Sequence, residues 1–176
     1  MTFSSVLRRM TFLAGLILVG LTLPGLTLPG LMVAAWAEDK LPLPRFASLQ
    51  SGEVNMRAGP GETYPIMWTY QRAGLPVEII EEFDIWRRIR DHDGVVGWVK
   101  STLLVGKRHV IVRDSQRPLR ASAEAGAKPI AFIDPGVVLK VLECSADWCR
   151  LEVQGYKGWM MKTEFWGVYP QEVLED

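Results

Sequence analysis

The chain has 176 residues with 20 basic and 20 acidic side chains, so it is formally uncharged at neutral pH. Apolar residues make up 48% and charged residues 23%, which excludes a disordered chain, and the balanced charge gives no support to a nucleic-acid partner. Sixteen glycines, eleven prolines and seven tryptophans favour a turn-rich β protein over a helical bundle. Two cysteines and two histidines are too few for a Cys/His zinc site unless all four converge.

In chain order, Arg8 and Arg9 precede an uncharged apolar run, Met10 to Leu23, followed by Pro24-Gly25 and Pro29-Gly30. The segment ends in Ala35-Trp36-Ala37 before Glu38-Asp39-Lys40. A basic start, an apolar middle and an Ala-x-Ala end predict a secretory signal peptide over residues 1–37, cleaved after Ala37. The alternative is an uncleaved anchor, since Met10 to Trp36 is long enough to span a bilayer; the two Pro-Gly breaks and the small residues at 35 and 37 argue against it. Membrane contact is therefore expected only through this segment before cleavage. Removing 37 of the 176 residues leaves 139, with 18 basic against 20 acidic side chains. Export to the periplasm also places the two cysteines in an oxidising compartment.

Beyond a linker over 38–48, the sequence is one unit written twice, 49–106 and 107–176, the second ending in a tail. Arg57-Ala58 recurs as Arg120-Ala121, Pro65-Ile66 as Pro129-Ile130, and Gly74 as Gly136. Trp86 recurs as Trp148, and Gly97-Trp98-Val99 as Gly158-Trp159-Met160. Order and spacing persist across all these points, as an internal repeat requires. Within each unit, Val77 to Ile80 and Val137 to Leu142 predict strands, each entered from a turn glycine. Short polar loops follow, then strands from Trp86 to Arg90 and from Trp148 to Val153. Trp148, Arg150 and Glu152 alternate with Cys149, Leu151 and Val153, the period of a half-buried strand. Asp93-Gly94 and Gln154-Gly155 turn the chain into a third strand. Each unit is small enough that its core is minimal, and the tryptophans are expected to supply much of it.

Val54-Asn55-Met56-Arg57-Ala58-Gly59-Pro60-Gly61, then Tyr64-Pro65-Ile66, Gly74, Val77, Trp86 and Gly97-Trp98-Val99 resemble the bacterial SH3-like (SH3b) domain across nearly all of the first unit. The second unit is similar but degraded, with Pro118-Leu119-Arg120-Ala121-Ser122 in place of the Gly-Pro-Gly stretch. Its tail, Trp166 to Pro170, with Cys144 and Cys149 around Trp148, resembles the tandem SH3-like proteins exported by proteobacteria. The resemblance implies an all-β chain of two five-stranded SH3-like barrels, an envelope location, and a cell-wall or peptide-binding role. A fold shared this widely does not fix a function.

Four side chains of the first unit are candidate ligand contacts. The loop from Arg57 to Tyr64 takes the place of the SH3 specificity loop; Tyr64, Trp68 and Trp98 offer aromatic surface, and Arg57 could meet a carboxylate bidentately. Against this, Trp98 and Trp86 could both be core, and Arg57 could serve only to tie down its own loop. The second unit has Ala121 to Gly126 there, with little contact area, so it reads as the supporting repeat. The expected role is non-catalytic, with peptidoglycan or an envelope protein as partner and no cofactor. The alternatives are a purely structural part of an envelope assembly, or an accessory to a cell-wall hydrolase. No catalytic residue is assigned: His92 reads as part of an exposed turn, His109 lies where the units join, and Glu81-Glu82 read as solvated near a hairpin loop. Cys144 and Cys149, with four residues between them across a hairpin, predict a disulfide; a metal site at this pair lacks further ligands nearby.

Overall fold

The computed structural model describes residues 41–175. The expected signal peptide and the first residues of the expected linker lie outside the described residues. The first sheet contains β1 (Arg45–Leu49), β2 (Val54–Arg57), β3 (Ile66–Tyr70), β4 (Pro76–Phe83), β5 (Trp86–Arg90), β6 (Val96–Lys100) and β7 (Leu104–Val105). The second contains β8 (His109–Val112), β9 (Arg117–Arg120), β10 (Pro129–Ile133), β11 (Val138–Cys144), β12 (Trp148–Val153), β13 (Tyr156–Met161) and β14 (Phe165–Trp166). The strand order is β3-β2-β6-β5-β4-β1-β7 in the first and β10-β9-β13-β12-β11-β8-β14 in the second. The two orders are identical, so the sequence repeat is a repeat of topology. Among the described residues no helix is long and apolar enough to cross a membrane.

Each sheet has seven strands where the resemblance implies five. The long loop from Arg57 to Tyr64 is the tip of its own hairpin, β2–β3, which adds two strands to the barrel. The first strand, Arg45–Leu49, includes residues expected to be linker; Phe46 to Leu49 are buried, and β1 pairs with β4 and β7. Glu81 and Glu82 lie in β4 opposite Arg88 and Arg87, and ion-pair with them at 3.0 and 2.9 Å. They are cross-strand partners of bases rather than loop acids.

The tryptophans do not supply the packed cores. The first core is built from Ala47, Leu49, Val54, Met56, Tyr70, Val77, Ile79, Ile89 and Val99, and the second is mostly aliphatic as well, with Cys144, Cys149 and Phe165. The reason lies in the strand period. On β6, Gly97 and Val99 share one face and Trp98 takes the other. A Cβ on Gly97 would stand 2.6 Å from Cγ of Met56 and 3.0 Å from the backbone oxygen of Arg57, and one on Gly158 would stand 2.7 Å from the backbone oxygen of Arg120. The interior at these crossings is already full, so the indoles take the opposite face of the sheet, where Trp86 and Trp98 are still buried, 6% and 9% exposed.

The two barrels touch through side chains from β1, β4 and the tail. Phe46 packs edge-on against Trp166, with ring centroids 4.8 Å apart, and lies 4.7 Å from Tyr169. The Tyr169 hydroxyl donates to Oε1 of buried Glu78 at 2.8 Å, and Arg90 Nε donates to Oε2 at 2.8 Å. Arg72 Nη1 donates to the Gly136 carbonyl at 2.7 Å, and Ser48 Oγ lies 3.0 Å from Nδ1 of His109. Burial, aided by the nearby charges of Lys107 and Lys140, holds the His109 imidazole below its ordinary value of 6.5. The unfolded chain thus takes up a proton near that value which the folded chain accepts only at lower pH, so this stability is lost as the pH falls. The unfolding midpoint of a His109→Gln variant should therefore fall less than that of the parent between about pH 7 and pH 5; equal falls would show that His109 is not the titrating group.

Cys144 and Cys149 face each other at the end of the β11–β12 hairpin and form a disulfide. The backbone of Cys144 also exchanges hydrogen bonds with Leu174, at 2.8 and 3.0 Å, so the bridge anchors the tail. Replacing both cysteines by serine should cost about 2 kcal/mol in urea unfolding, the low end expected for so short a loop. Two titratable thiols in the unreduced, unfolded chain would contradict the bond.

Candidate functional site

Strand β2 is buried at Val54 and Met56, while Asn55 and Arg57 take the outer face. With exposed Glu53 just before the strand, this face presents an acid, an amide and a base in a row, and all three line a cleft of about 450 Å³. Lys100, Thr102 and Leu103, at the end of β6 and in the 3₁₀ turn Ser101–Leu103, line it as well. Trp86 also lines the cleft, and Nζ of Lys100 lies 5.9 Å from the centre of its ring.

Arg57 Nη1 donates to the carbonyls of Glu62 and Tyr64 at 3.0 and 2.7 Å, so the guanidinium holds its own loop in place. Among the described residues, Nε and Nη2 of Arg57 meet no acceptor and no carboxylate ion-pairs with it. Glu62, from the loop, ion-pairs with Lys100 instead. Its hydrogen bond to Lys100 and the nearby positive charge hold its carboxyl below the ordinary range. The pair is exposed, with Glu62 at 69% and Lys100 at 37%.

The second barrel has the same frame with different occupants. Arg120 faces Trp159 across the sheet as Arg57 faces Trp98, and Trp148 faces Met161 as Trp86 faces Lys100. The 3₁₀ turn Lys162–Glu164 matches Ser101–Leu103, so Glu164 stands where the first barrel has Leu103. The Glu164 carboxylate accepts two hydrogen bonds from Arg120, at 2.8 and 3.0 Å, and a third from the backbone of Met161 at 3.0 Å. The Arg120 guanidinium lies 5.3 Å from the centre of the Trp148 ring. Both side chains are about a tenth exposed, and hydrogen bonding to Glu164 raises Arg120 above its ordinary pKa.

Of the four candidate contacts, only Arg57 lines the cleft. Trp98 and Trp86 are both buried, 9% and 6% exposed; of the two, Trp86 lines the cleft, beside Lys100. Tyr64 is half exposed, but its ring covers its own loop: a Cβ on Gly59 would stand 2.4 Å from the ring carbons. Trp68 is exposed with Ile66 and Met67 on edge strand β3, away from the cleft lining. Sequence reasoning missed Trp86, Lys100, Glu62, Glu53 and Asn55 as cleft residues. The alternation of Glu53, Asn55 and Arg57 with Val54 and Met56 was a usable signal; the Glu62–Lys100 contact, 38 residues apart, had none.

The family model described as bacterial SH3 domain matches residues 50–106 and 114–167. The chain belongs to the bacterial SH3 domain family. It is 28% identical over 126 residues to the Bacillus subtilis (strain 168) protein named "Putative N-acetylmuramoyl-L-alanine amidase YrvJ", covering 61% of this chain and 24% of that one. The match thus spans about a quarter of the relative's length. Among solved structures it is similar to NlpC2 from Trichomonas vaginalis, with 10% identity, a TM-score of 0.33 and coverage of 72% of this chain and 49% of that one. An NlpC/P60 family protein from Bacillus cereus ATCC 10987 gives 12% identity, a TM-score of 0.32 and coverage of 68% and 55%. These two likenesses are too loose to bear on fold or function.

The two clefts should respond differently to loss of their acid. Glu164→Gln leaves a largely buried guanidinium without its counter-charge and should cost about 3 kcal/mol in urea unfolding. Glu62→Gln, at a solvated pair, should leave the unfolding midpoint unmoved. Equal responses would mean that the two barrels do not differ as described.

Proposed function

We propose that the chain is an exported, non-catalytic binding or scaffolding module whose first barrel holds a cell-wall peptide or a segment of an envelope protein. Peptidoglycan is the favoured partner. One observation carries the reading: in the first barrel the cleft arginine offers an unengaged Nε–Nη2 edge, whereas in the second barrel the equivalent arginine is occupied by the chain's own glutamate. Planar, paired donors suit a carboxylate, and Trp86 supplies an aromatic wall for the rest of the ligand. The second barrel acts as support, stiffened by its disulfide.

Two further observations support this reading. The match to a protein named as an N-acetylmuramoyl-L-alanine amidase falls on the SH3 region, consistent with a wall-binding part rather than a bond-breaking one. Both cysteines are in a disulfide, so neither provides the thiol that a Cys–His hydrolase needs, and the bond suits an oxidising compartment. A purely structural role would be favoured by burial of the cleft against the second barrel. The residues described at the junction, including Phe46, Arg72 and Glu78, are not those that line the cleft.

The test begins with protein recovered from the periplasm by osmotic shock, expected to start at Glu38. Purified peptidoglycan should retain it, and Arg57→Lys, which keeps the charge and loses the paired geometry, should weaken retention by roughly tenfold. Phe132→Ala, on the second barrel's edge strand, should leave retention unchanged. Retention lost with Phe132→Ala and kept with Arg57→Lys would move the site to the second barrel.

A further inference from the structure

We propose that Glu62 is a tethered competitor for the ligand's carboxylate: it occupies Lys100 in the empty cleft and is displaced when a peptide bearing a free carboxylate binds between Arg57 and Lys100. This rests on the reading that the first-barrel cleft holds a cell-wall peptide, and it names the group that the cleft selects.

The argument starts from the second barrel. There one cation, Arg120, meets one buried acid, Glu164, and charge and hydrogen bonding are satisfied within the chain. The first barrel changes two positions of the same frame. Lys100 replaces Met161, and Leu103 replaces Glu164. The cleft therefore gains a cation and loses its fixed anion. Two positive groups line it, Arg57 on β2 and Lys100 at the end of β6, with Trp86 beside Lys100.

Two acids line the cleft, Glu53 and Glu62, and among the described residues it is Glu62 that ion-pairs with Lys100. Glu62 sits on the loop tip, largely exposed, with its backbone carbonyl held by Arg57 and its carboxylate on Lys100. The backbone contact keeps the carboxylate close to both cations without seating it between them. An exposed pair of this kind is worth little and is screened by salt, so a ligand carboxylate that also engages the Nε–Nη2 edge of Arg57 can replace it. Glu164 cannot be displaced in this way, because three hydrogen bonds and burial hold it. A neutral amide brings no charge to exchange for Glu62. The cleft thus discriminates in favour of an unblocked peptide terminus or an acidic side chain.

Isothermal titration at low salt tests this with a short stem peptide ending in D-alanyl-D-alanine, prepared as the free acid and as the terminal amide. Glu62→Gln should bind the free acid roughly two- to five-fold more tightly than the parent and the amide no more tightly, and the gain should shrink as salt is raised. Glu124→Gln, the same charge change on the second barrel's loop, should bind as the parent does. If Glu62→Gln fails to tighten the free acid while Arg57→Lys still weakens it, the competitor role is overturned and the binding reading stands. If Glu62→Gln tightens acid and amide equally, selection by charge exchange is overturned. Indifference of both forms to Arg57→Lys would overturn the binding reading itself.

Discussion

At one point in each barrel the long hairpin crosses the third strand of the meander directly over a glycine. At Gly97 the space a Cβ would need is taken by Met56 and the carbonyl of Arg57, and at Gly158 by Leu119 and the carbonyl of Arg120. This close approach governs both faces of the sheet. Inside, it lets Met56 or Leu119 fill the core. Outside, it fixes an arginine opposite a tryptophan, Arg57 with Trp98 and Arg120 with Trp159. The arginine's position at the mouth of a cleft is thus a product of barrel closure, and it persists in the second copy where the loop itself has degenerated.

Because the crossing is shared, the difference between the barrels reduces to what surrounds the arginine. In the second barrel a glutamate on the 3₁₀ turn neutralises it, and the cleft becomes a structural ion pair stacked on Trp148. A pair buried to this degree costs desolvation and is tolerable only when its geometry and extra hydrogen bonds are good, which the backbone contact from Met161 helps to supply. In the first barrel the turn carries Leu103, and the arginine is satisfied on one edge only, by its own loop. The charge left over is balanced at a distance, by a flexible and exposed side chain. That is the arrangement expected of a surface that meets a charged partner, since a permanently buried counter-ion would have to be removed before anything could bind.

The strands, the repeat and the disulfide were legible because each is written in local pattern. Trp86 to Arg90 and Trp148 to Val153 are strands over the expected residues, the repeated glycines mark the same turns, and the cysteines face each other across a hairpin as their spacing implied. The added strands β2 and β3 were less legible because the sequence marks their loop tip more strongly than its limbs. The site was only half legible. Arg57 stood out by its motif, whereas the indole that lines its cleft is Trp86 and not Trp98. Trp86 and Trp98 are both strand residues with similar local surroundings, and nothing local tells which of the two indoles borders a cleft. That depends on where Lys100 and the following turn lie, which is set by pairing across the sheet. Leu103 and Glu164 look unremarkable as single residues; their meaning appears only when the two turns are superposed on a common frame.

The junction between the barrels bears on how such a cleft could be presented. Phe46 from the first strand packs against both Trp166 and Tyr169 of the tail, and the carboxylate of Glu78, buried on β4, accepts from Arg90 of its own barrel at one oxygen and from Tyr169 at the other. Hydrogen bonding to that carboxylate, after burial, pushes the Tyr169 hydroxyl's pKa up, so the phenol stays a donor throughout the ordinary pH range. Arg108 contributes in the same region, lying over Phe46 while pairing with Glu172. The tail that carries these groups is itself paired to Cys144 through Leu174. A chain of contacts therefore runs from the disulfide through the tail to the first barrel's β1 and β4, on elements other than the β2 and β6 that build the cleft. The junction and the cleft are thus built on different strands of the same barrel. The second barrel keeps the same division of strands, but there the arginine at the crossing is closed off by the chain's own Glu164.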